Sequence, residues 1–173
     1  SGPRERQARL FELQALFKQA KTVAVLVDPT VARPDFLERV PGTRLHPLGV
    51  PGYEAVPRRS PVLVELEEDD DPMLSASLDT ALAQAGGGEG PLRQVGGWLV
   101  SPLPAAGLAQ ALARWMTLRD AAGAIRFVRF NDPRVLWLMS VLCDEHESLA
   151  APAHALLQWR VLDWNGAWWD LPG

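Results

Sequence analysis

Short apolar runs and longer amphipathic stretches alternate along the chain. The apolar runs cover residues 22–27, 61–66 and 98–100, and the amphipathic stretches cover residues 4–21, 72–85 and 104–120. Runs of the first kind are typical of buried strands, and apolar residues at every third or fourth position are typical of helices. Strands that alternate with helices predict an α/β fold. We therefore expect a single domain over residues 4–173, in which helices flank a mixed β-sheet.

Three stretches depart from this pattern. Residues 33–59 contain five prolines and three glycines, and they predict mostly irregular backbone with one helical turn near residues 36–39. Residues 86–97 are rich in glycine and predict a flexible connection. Residues 1–3 are interpreted as a remnant of cloning and excluded from the predicted domain.

A strand is predicted to run directly into a helix at the sequence RFVRFNDPRVLWLM. Residues 125–130 alternate between two faces with the period of a strand. Asp132 suits an N-cap because its carboxylate can accept hydrogen bonds from the first helical turn, and Pro133 suits the first helical position. The residues that follow are too apolar for a fully exposed helix. We therefore predict a strand, a capped corner and a largely buried helix.

The end of the chain has the pattern of a β-hairpin. Asn165-Gly166 favours a type I′ turn, which would place Trp164 opposite Ala167. With that register, one face carries Trp159, Val161, Asp163, Trp168 and Asp170. Because two carboxylates on one face argue against deep burial, we predict that Trp168 and Trp159 contact a partner, and that Trp164 and Trp169 pack inward. The alternative is that another part of the same domain covers this face.

Composition and charge exclude several classes of protein. The 173 residues carry a formal net charge of −4, which argues against a nucleic-acid binder because phosphate binding usually needs a basic face. Cys143 is the only cysteine, so no internal disulfide framework is possible. No apolar run reaches the ~20 residues of a membrane span, and no secretory leader is evident. We expect a soluble, cytoplasmic protein.

Catalytic and metal-binding signatures are weak. The sequence has no G-x-S-x-G nucleophile motif, and its glycine run lacks the Lys-Ser/Thr of a phosphate loop. Cys143 and His146 have the spacing of metal ligands, but His46 and His154 complete no zinc pattern with them. The acidic run at residues 67–71 is typical of a solvated loop. We therefore expect no catalytic residues, no metal site and no cofactor.

The arginines of the strand–helix corner form the one cluster that suggests a mechanism. Arg129 and Arg134 flank Asp132, and together they could clamp an anionic ligand or contact a partner. They could also form internal ion pairs that fix the corner, the interpretation we favour because ionic networks are often structural.

Four motifs resemble those of a known family when they are taken in order. The motif RFNDPRV at residues 129–135 resembles the signature of the type VI secretion effector chaperone or adaptor domain, a family long catalogued as a domain of unknown function. The earlier motifs VLVDP (residues 25–29), PVLVEL (61–66) and GWLVSP (97–102) resemble its first three strands. The resemblance covers most of residues 20–165. The glycine run and the proline-rich region are unusual for the family, and many members have a further C-terminal region, so the chain is interpreted as a minimal member or an excised domain.

The resemblance implies a non-catalytic function. Members are bacterial cytoplasmic proteins that bind a toxic effector and help to load it onto the valine–glycine repeat spike protein, with no cofactor. The alternative is a small enzyme or nucleotide-binding α/β domain that uses Arg129, Asp132 and Arg134. A ligand of that kind would raise the melting temperature, whereas an adaptor should not respond to nucleotides or divalent cations.

Overall fold

The structure, a computed structural model, is a three-layered α/β domain. It describes residues 2–19, 22–29, 34–49, 60–86, 93–145 and 155–171. The strands are β1 (Thr22–Val27), β2 (Leu45–Pro47), β3 (Val62–Leu66), β4 (Val95–Ser101), β5 (Thr117–Arg119), β6 (Ile125–Phe127), β7 (Gln158–Leu162) and β8 (Trp168–Leu171). The helices are α1 (Pro3–Gln14), α2 (Pro72–Gly86), α3 (Ala105–Met116) and α4 (Pro133–Glu145), with 3₁₀ turns at Ala15–Lys18, Asp35–Arg39 and Gly42–Arg44.

Six strands form the central sheet in the order β2-β3-β1-β4-β7-β8, and β5 and β6 form a separate pair. The predicted α/β fold with flanking helices and a terminal hairpin is confirmed. The sheet differs from the expected mixed one because all pairs between described strands are antiparallel. β3 and β4 are joined by α2 and run in the same direction, but β1 lies between them and pairs antiparallel with both. A helix–strand alternation alone does not reveal such an inserted strand.

Each face of the sheet carries its own hydrophobic core. Along β1, Val23 and Val25 pack into the core shared with α1 and α2, whereas Ala24 and Leu26 pack into the core shared with α3 and α4. All six residues of β1 are buried. A strand buried on both faces reads as a continuous apolar run, and this is why the run at residues 22–27 predicts it correctly.

The predicted third helix is too long at its C-terminal end. α3 ends at Met116, and the next three residues pair with β6 instead. The connecting turn is fixed by Asp120, whose Oδ1 accepts hydrogen bonds from the amides of Ala122 (3.0 Å) and Ala124 (2.9 Å). Gly123 lies in this turn with φ +83°. The turn closes a hairpin that competes with continuation of the helix, and β6 itself ends at Phe127 rather than at residue 130.

The described parts of the glycine-rich and proline-rich stretches contain more regular structure than predicted, while residues 50–59 and 87–92 lie outside the described residues. Gly96 and Gly97 belong to β4, and the register between β1 and β4 shifts beside them. A Cβ on Gly97, whose φ is +123°, would lie 2.6 Å from the carbonyl oxygen of Arg160. Glycine here allows close approach of β7 rather than flexibility. The proline-rich stretch supplies β2, which the sequence pattern missed because the strand has only three residues.

The terminal hairpin forms, but its predicted register is wrong by one residue. Leu162 pairs with Trp168, and Val161 pairs with Trp169. The amide of Gly166, with φ +75°, donates to the carbonyl of Asp163 at 3.0 Å, which gives a three-residue loop in place of a type I′ turn. Because a one-residue shift moves side chains to the opposite face, Trp159 and Trp168 do not share a face.

The shift also places Trp164 in the loop, where it is 49% exposed. The prediction that Trp164 packs inward is therefore wrong.

None of the helices in the described ranges has both the length and the apolar character that a membrane span requires.

Candidate functional site

The corner before α4 is organised by Asp132. Its Oδ1 accepts a hydrogen bond of 3.0 Å from the backbone amide of Arg134, and its carbonyl accepts from the amides of Val135 and Leu136. Pro133 is the first residue of the helix. This is the geometry of an N-cap, in which a carboxylate satisfies an amide that has no partner within the helix.

Arg134 binds the same carboxylate through its side chain. Its Nε lies 3.2 Å from Asp132 Oδ1, and its Nη2 lies 3.0 Å from Oδ2. These hydrogen bonds, with the attraction of the carboxylate, raise the pKa of Arg134 above its usual value. The carboxylate side chain is 8% exposed and the arginine side chain 60% exposed. The carboxylate of Asp132 therefore has its hydrogen-bond donors within the chain, whereas much of the Arg134 side chain is exposed to solvent.

Arg129 binds a different carboxylate. Its Nη1 lies 3.1 Å from Oδ2 of Asp28, whose side chain is 3% exposed, at the end of β1. Its guanidinium also lies 5.8 Å from the ring centroid of Phe127. The two arginines therefore do not close around Asp132 as one anion clamp, and each forms an internal ion pair.

Asn131 links the corner to the start of β4. Its Nδ2 donates to the carbonyl of Arg93 at 2.9 Å, and its own carbonyl accepts from the amide of Arg93 at 3.1 Å. Asn131 is buried, and its Oδ1 has no hydrogen-bond partner among the residues that the structure describes. The amide of Asp28 donates to the carbonyl of Gln94 at 2.9 Å. These bonds tie β1, β4 and the α4 corner together, which is a structural role.

An aromatic cluster supports the corner from beneath. The ring of Phe130 lies 4.6 Å from that of Trp115 and 5.7 Å from that of Trp159. Trp159 is fully buried, and its Nε1 donates to the carbonyl of Gly96 at 2.9 Å. Trp159 is therefore a core residue in the folded chain, and the predicted exposed face on which its partner contact depended does not exist.

Trp168 lies on the opposite face of the hairpin, against α1. Its indole Nε1 donates to the carboxylate of Glu12. The guanidinium groups of Arg9 and Arg160 lie 5.3 Å and 5.6 Å from its ring centroid, and Trp98 meets it edge-on at 5.6 Å. Another part of the domain thus covers much of this half-buried ring. Its contact with a partner stays a prediction.

The partner of Arg160 on this face is Asp170, directly across the hairpin. Their side chains form two hydrogen bonds of 2.8 and 2.9 Å. The bond to Arg160 lowers the pKa of Asp170 and outweighs the opposite effect of partial burial. Asp163 and Asp170, which were predicted to share one solvent-exposed face, are separated by the shifted register of the hairpin. Asp163 lies at the loop, where its Oδ1 accepts hydrogen bonds from the amides of Asn165 and Ala167.

The outer face of α4 carries a feature that the sequence prediction missed. Trp137 is 49% exposed, Leu138 51% and Val141 36%. Arg134 and Glu145 are also exposed, at the two ends of the same face. We call these five residues the α4 stripe. The signal was present in the sequence, because spacings of three, four and seven place residues on one helical face.

Apolar residues also lie on the inward face of α4, and for this reason the sequence pattern does not single out the α4 stripe. Leu136 and Met139 are buried against α3 and the sheet. Both faces of the helix are thus apolar, and a helix that is apolar all round is normally read as buried.

Metal-ligating side chains do not gather in the part of the chain that the structure describes. Among those residues, no group of three or more histidine, cysteine, aspartate or glutamate side chains could hold a metal ion. His46 pairs with Glu65 at 2.9 Å. The side chain of Cys143, together with His146 and His154, lies outside the described residues.

Comparison with known proteins identifies the family. No curated protein and no solved structure matches the chain. A family model described as "Domain of unknown function (DUF4123)" matches residues 32–150. The match is shorter than the expected resemblance over residues 20–165, and it includes the corner and the whole α4 stripe but leaves out β1 and the terminal hairpin. Because the match spans more than half of the 173 residues, the chain belongs to the DUF4123 family.

Proposed function

We propose that the protein is a non-catalytic adaptor that binds a type VI secretion effector and helps to load it onto the valine–glycine repeat spike protein. The order of motifs that resembles the adaptor domain supports this function. Three of the four motifs, at residues 61–66, 97–102 and 129–135, lie inside the DUF4123 match. The work of such a protein would take place in the bacterial cytoplasm, before secretion.

The α4 stripe is the observation that carries the proposal. It presents a tryptophan, a leucine and a valine to solvent on one helical face, next to the family signature. Aromatic residues are enriched in protein interfaces, where they act as anchors. A regular helix already fixes the backbone that carries them, so little backbone entropy is lost when a partner binds. We place the effector contact on this stripe.

The corner itself is better suited to support than to chemistry. Asp28 and Asp132 are buried and bound to Arg129 and Arg134, respectively. An anionic ligand would have to compete with these carboxylates for the two guanidinium groups. This favours the adaptor over the alternative of a small enzyme or nucleotide-binding domain at the same corner.

Reconstitution with the effector tests the proposal. The tagged chain is used to capture proteins from the lysate of its native host, mass spectrometry identifies them, and the effector and spike protein are then purified for binding assays. We expect a direct complex with the effector and a ternary complex with the spike protein. Failure of both purified proteins to bind the folded chain would overturn the proposal.

A further inference from the structure

The α4 stripe has opposite charges at its two ends. Arg134 lies in the first turn of the helix and Glu145 is its last residue, with Trp137, Leu138 and Val141 between them. At ~1.5 Å per residue, the eleven-residue interval spans roughly 16 Å, about three turns. All five residues lie on one face, so the stripe is an apolar strip with a cation at one end and an anion at the other.

The α4 stripe is therefore self-complementary. When two copies run in opposite directions, the cation of each lies against the anion of the other. If two copies of α4 meet antiparallel about a two-fold axis near the middle of the stripe, Arg134 faces Glu145 of the second copy. The same axis places Leu138 against Val141 of the second copy, and it repeats both contacts at the other end. A two-fold interface requires this kind of self-complementary patch.

Both charged residues are available for such a contact. Glu145 forms no ion pair with any other residue in the described ranges, and it is exposed. Arg134 uses two of its donor groups on Asp132, and its side chain is 60% exposed. A guanidinium has five N–H donors in all, so it can bind a second carboxylate without releasing the first.

We propose that, in the absence of an effector, two copies of this chain pair through their α4 stripes as an antiparallel, two-fold symmetric dimer. The inference goes beyond the proposed function, and it shares the surface on which that function places the effector. One helix face per copy is small beside the ~1,200 Å² buried in a stable interface. The dimer is therefore reversible and forms only as the concentration rises.

Sedimentation velocity of the purified chain alone tests the dimer. We expect the mean mass to rise from that of one chain towards that of two as the concentration increases, and to go no higher. Leu138→Glu should keep the chain monomeric, because it buries a charge in the middle of the contact. Phe11→Glu is the matched control, since Phe11 is a 69% exposed apolar residue of α1 and its replacement should leave the association unchanged.

A charge exchange tests the antiparallel register. Arg134→Glu and Glu145→Arg should each weaken association by roughly tenfold, because every dimer contains the altered contact twice. The double variant should recover most of the wild-type association, with far-UV circular dichroism confirming that each variant folds. A chain that stays monomeric at high concentration, a dimer that survives Leu138→Glu, or a double variant weaker than both single variants would overturn the inference.

These outcomes are independent of effector binding. A monomeric chain that still captures the effector removes the dimer and leaves the adaptor proposal in place. A chain that dimerises in the expected pattern but binds no effector removes the adaptor proposal and leaves the dimer in place.

Discussion

Trp137 and Trp168 are both partly exposed tryptophans, yet their surroundings differ. Trp168 is held by α1 and its own hairpin, through the carboxylate of Glu12 and the guanidinium groups of Arg9 and Arg160. Trp137 lies on the outer face of α4 beside Leu138, with half its surface exposed. Exposure alone therefore does not identify an interface residue. The contacts that a ring makes within its own chain indicate whether it serves the fold or is available to a partner.

The largest effect is expected where an aromatic ring is fully internal. Trp159→Ala should lower the free energy of unfolding by ~3–5 kcal/mol, the usual cost of truncating a core aromatic side chain. Urea denaturation measures this loss. Trp164→Ala, at a 49% exposed loop position, is the control and should change stability by less than ~0.5 kcal/mol. A stable Trp159→Ala variant that loses its partner would restore the interface predicted from the sequence.

A smaller loss of stability is expected at Trp168, whose ring contacts α1. Trp168→Ala removes an aromatic pair and two cation–π contacts, which together contribute about 1–3 kcal/mol. Trp137→Ala should lower stability by less, because half of that ring is already in water. Thermal unfolding compares the two variants. If Trp168→Ala keeps its melting temperature and loses the effector, Trp168 is the interface residue that the sequence suggested.

The cap of α4 should contribute a comparable or smaller amount. Asp132→Ala should cost about 0.5–2 kcal/mol, because it removes the N-cap acceptor. Asp132→Asn should cost much less, since asparagine caps nearly as well and the ion pair lost with the exposed Arg134 contributes little. Denaturant titrations of the two variants separate the contribution of the cap from that of the charge. Equal damage from both would mean that the charge, and not the cap, fixes the corner.

The smallest effect concerns the ion pair across the hairpin. Because Arg160 lowers the pKa of Asp170, the pair stabilises the fold above about pH 4, the ordinary pKa of an aspartate, and this contribution is lost as the pH falls through the lower, folded-state pKa. Asp170→Asn should therefore be less stable than wild type at neutral pH by under ~1 kcal/mol. The difference in stability between the two proteins should shrink in acid. Urea unfolding at neutral pH and again below about pH 4 measures it. A difference independent of pH would contradict the ion-pair origin.

The sequence predicts elements well where one signal dominates. The continuous apolar run of β1 and the Asp132-Pro133 sequence before α4 each have a local physical cause, and the structure has a strand and a capped helix at those places. The hairpin at the chain end was also predictable, but its register was not. Asn165-Gly166 fits both a two-residue and a three-residue loop, and only the packing of the two faces selects between them.

The candidate site was harder to predict because it depends on contacts distant in the chain. Arg129 binds Asp28 across 101 positions of sequence, so proximity to Asp132 in the sequence was misleading. Trp168 is covered by α1 from the other end of the chain. The α4 stripe could have been found from spacing, but its exposure depends on which face of the helix meets α3.

Isothermal titration calorimetry of the purified effector with three forms of the chain tests the adaptor function and its surface most directly. Wild type and Trp168→Ala should bind with similar affinity, once the fraction of folded protein is taken into account. Trp137→Ala should bind at least about tenfold more weakly, a loss of ~1.4 kcal/mol, with its melting temperature nearly unchanged. Full affinity in Trp137→Ala together with lost affinity in Trp168→Ala would contradict the assignment of the α4 stripe as the recognition surface.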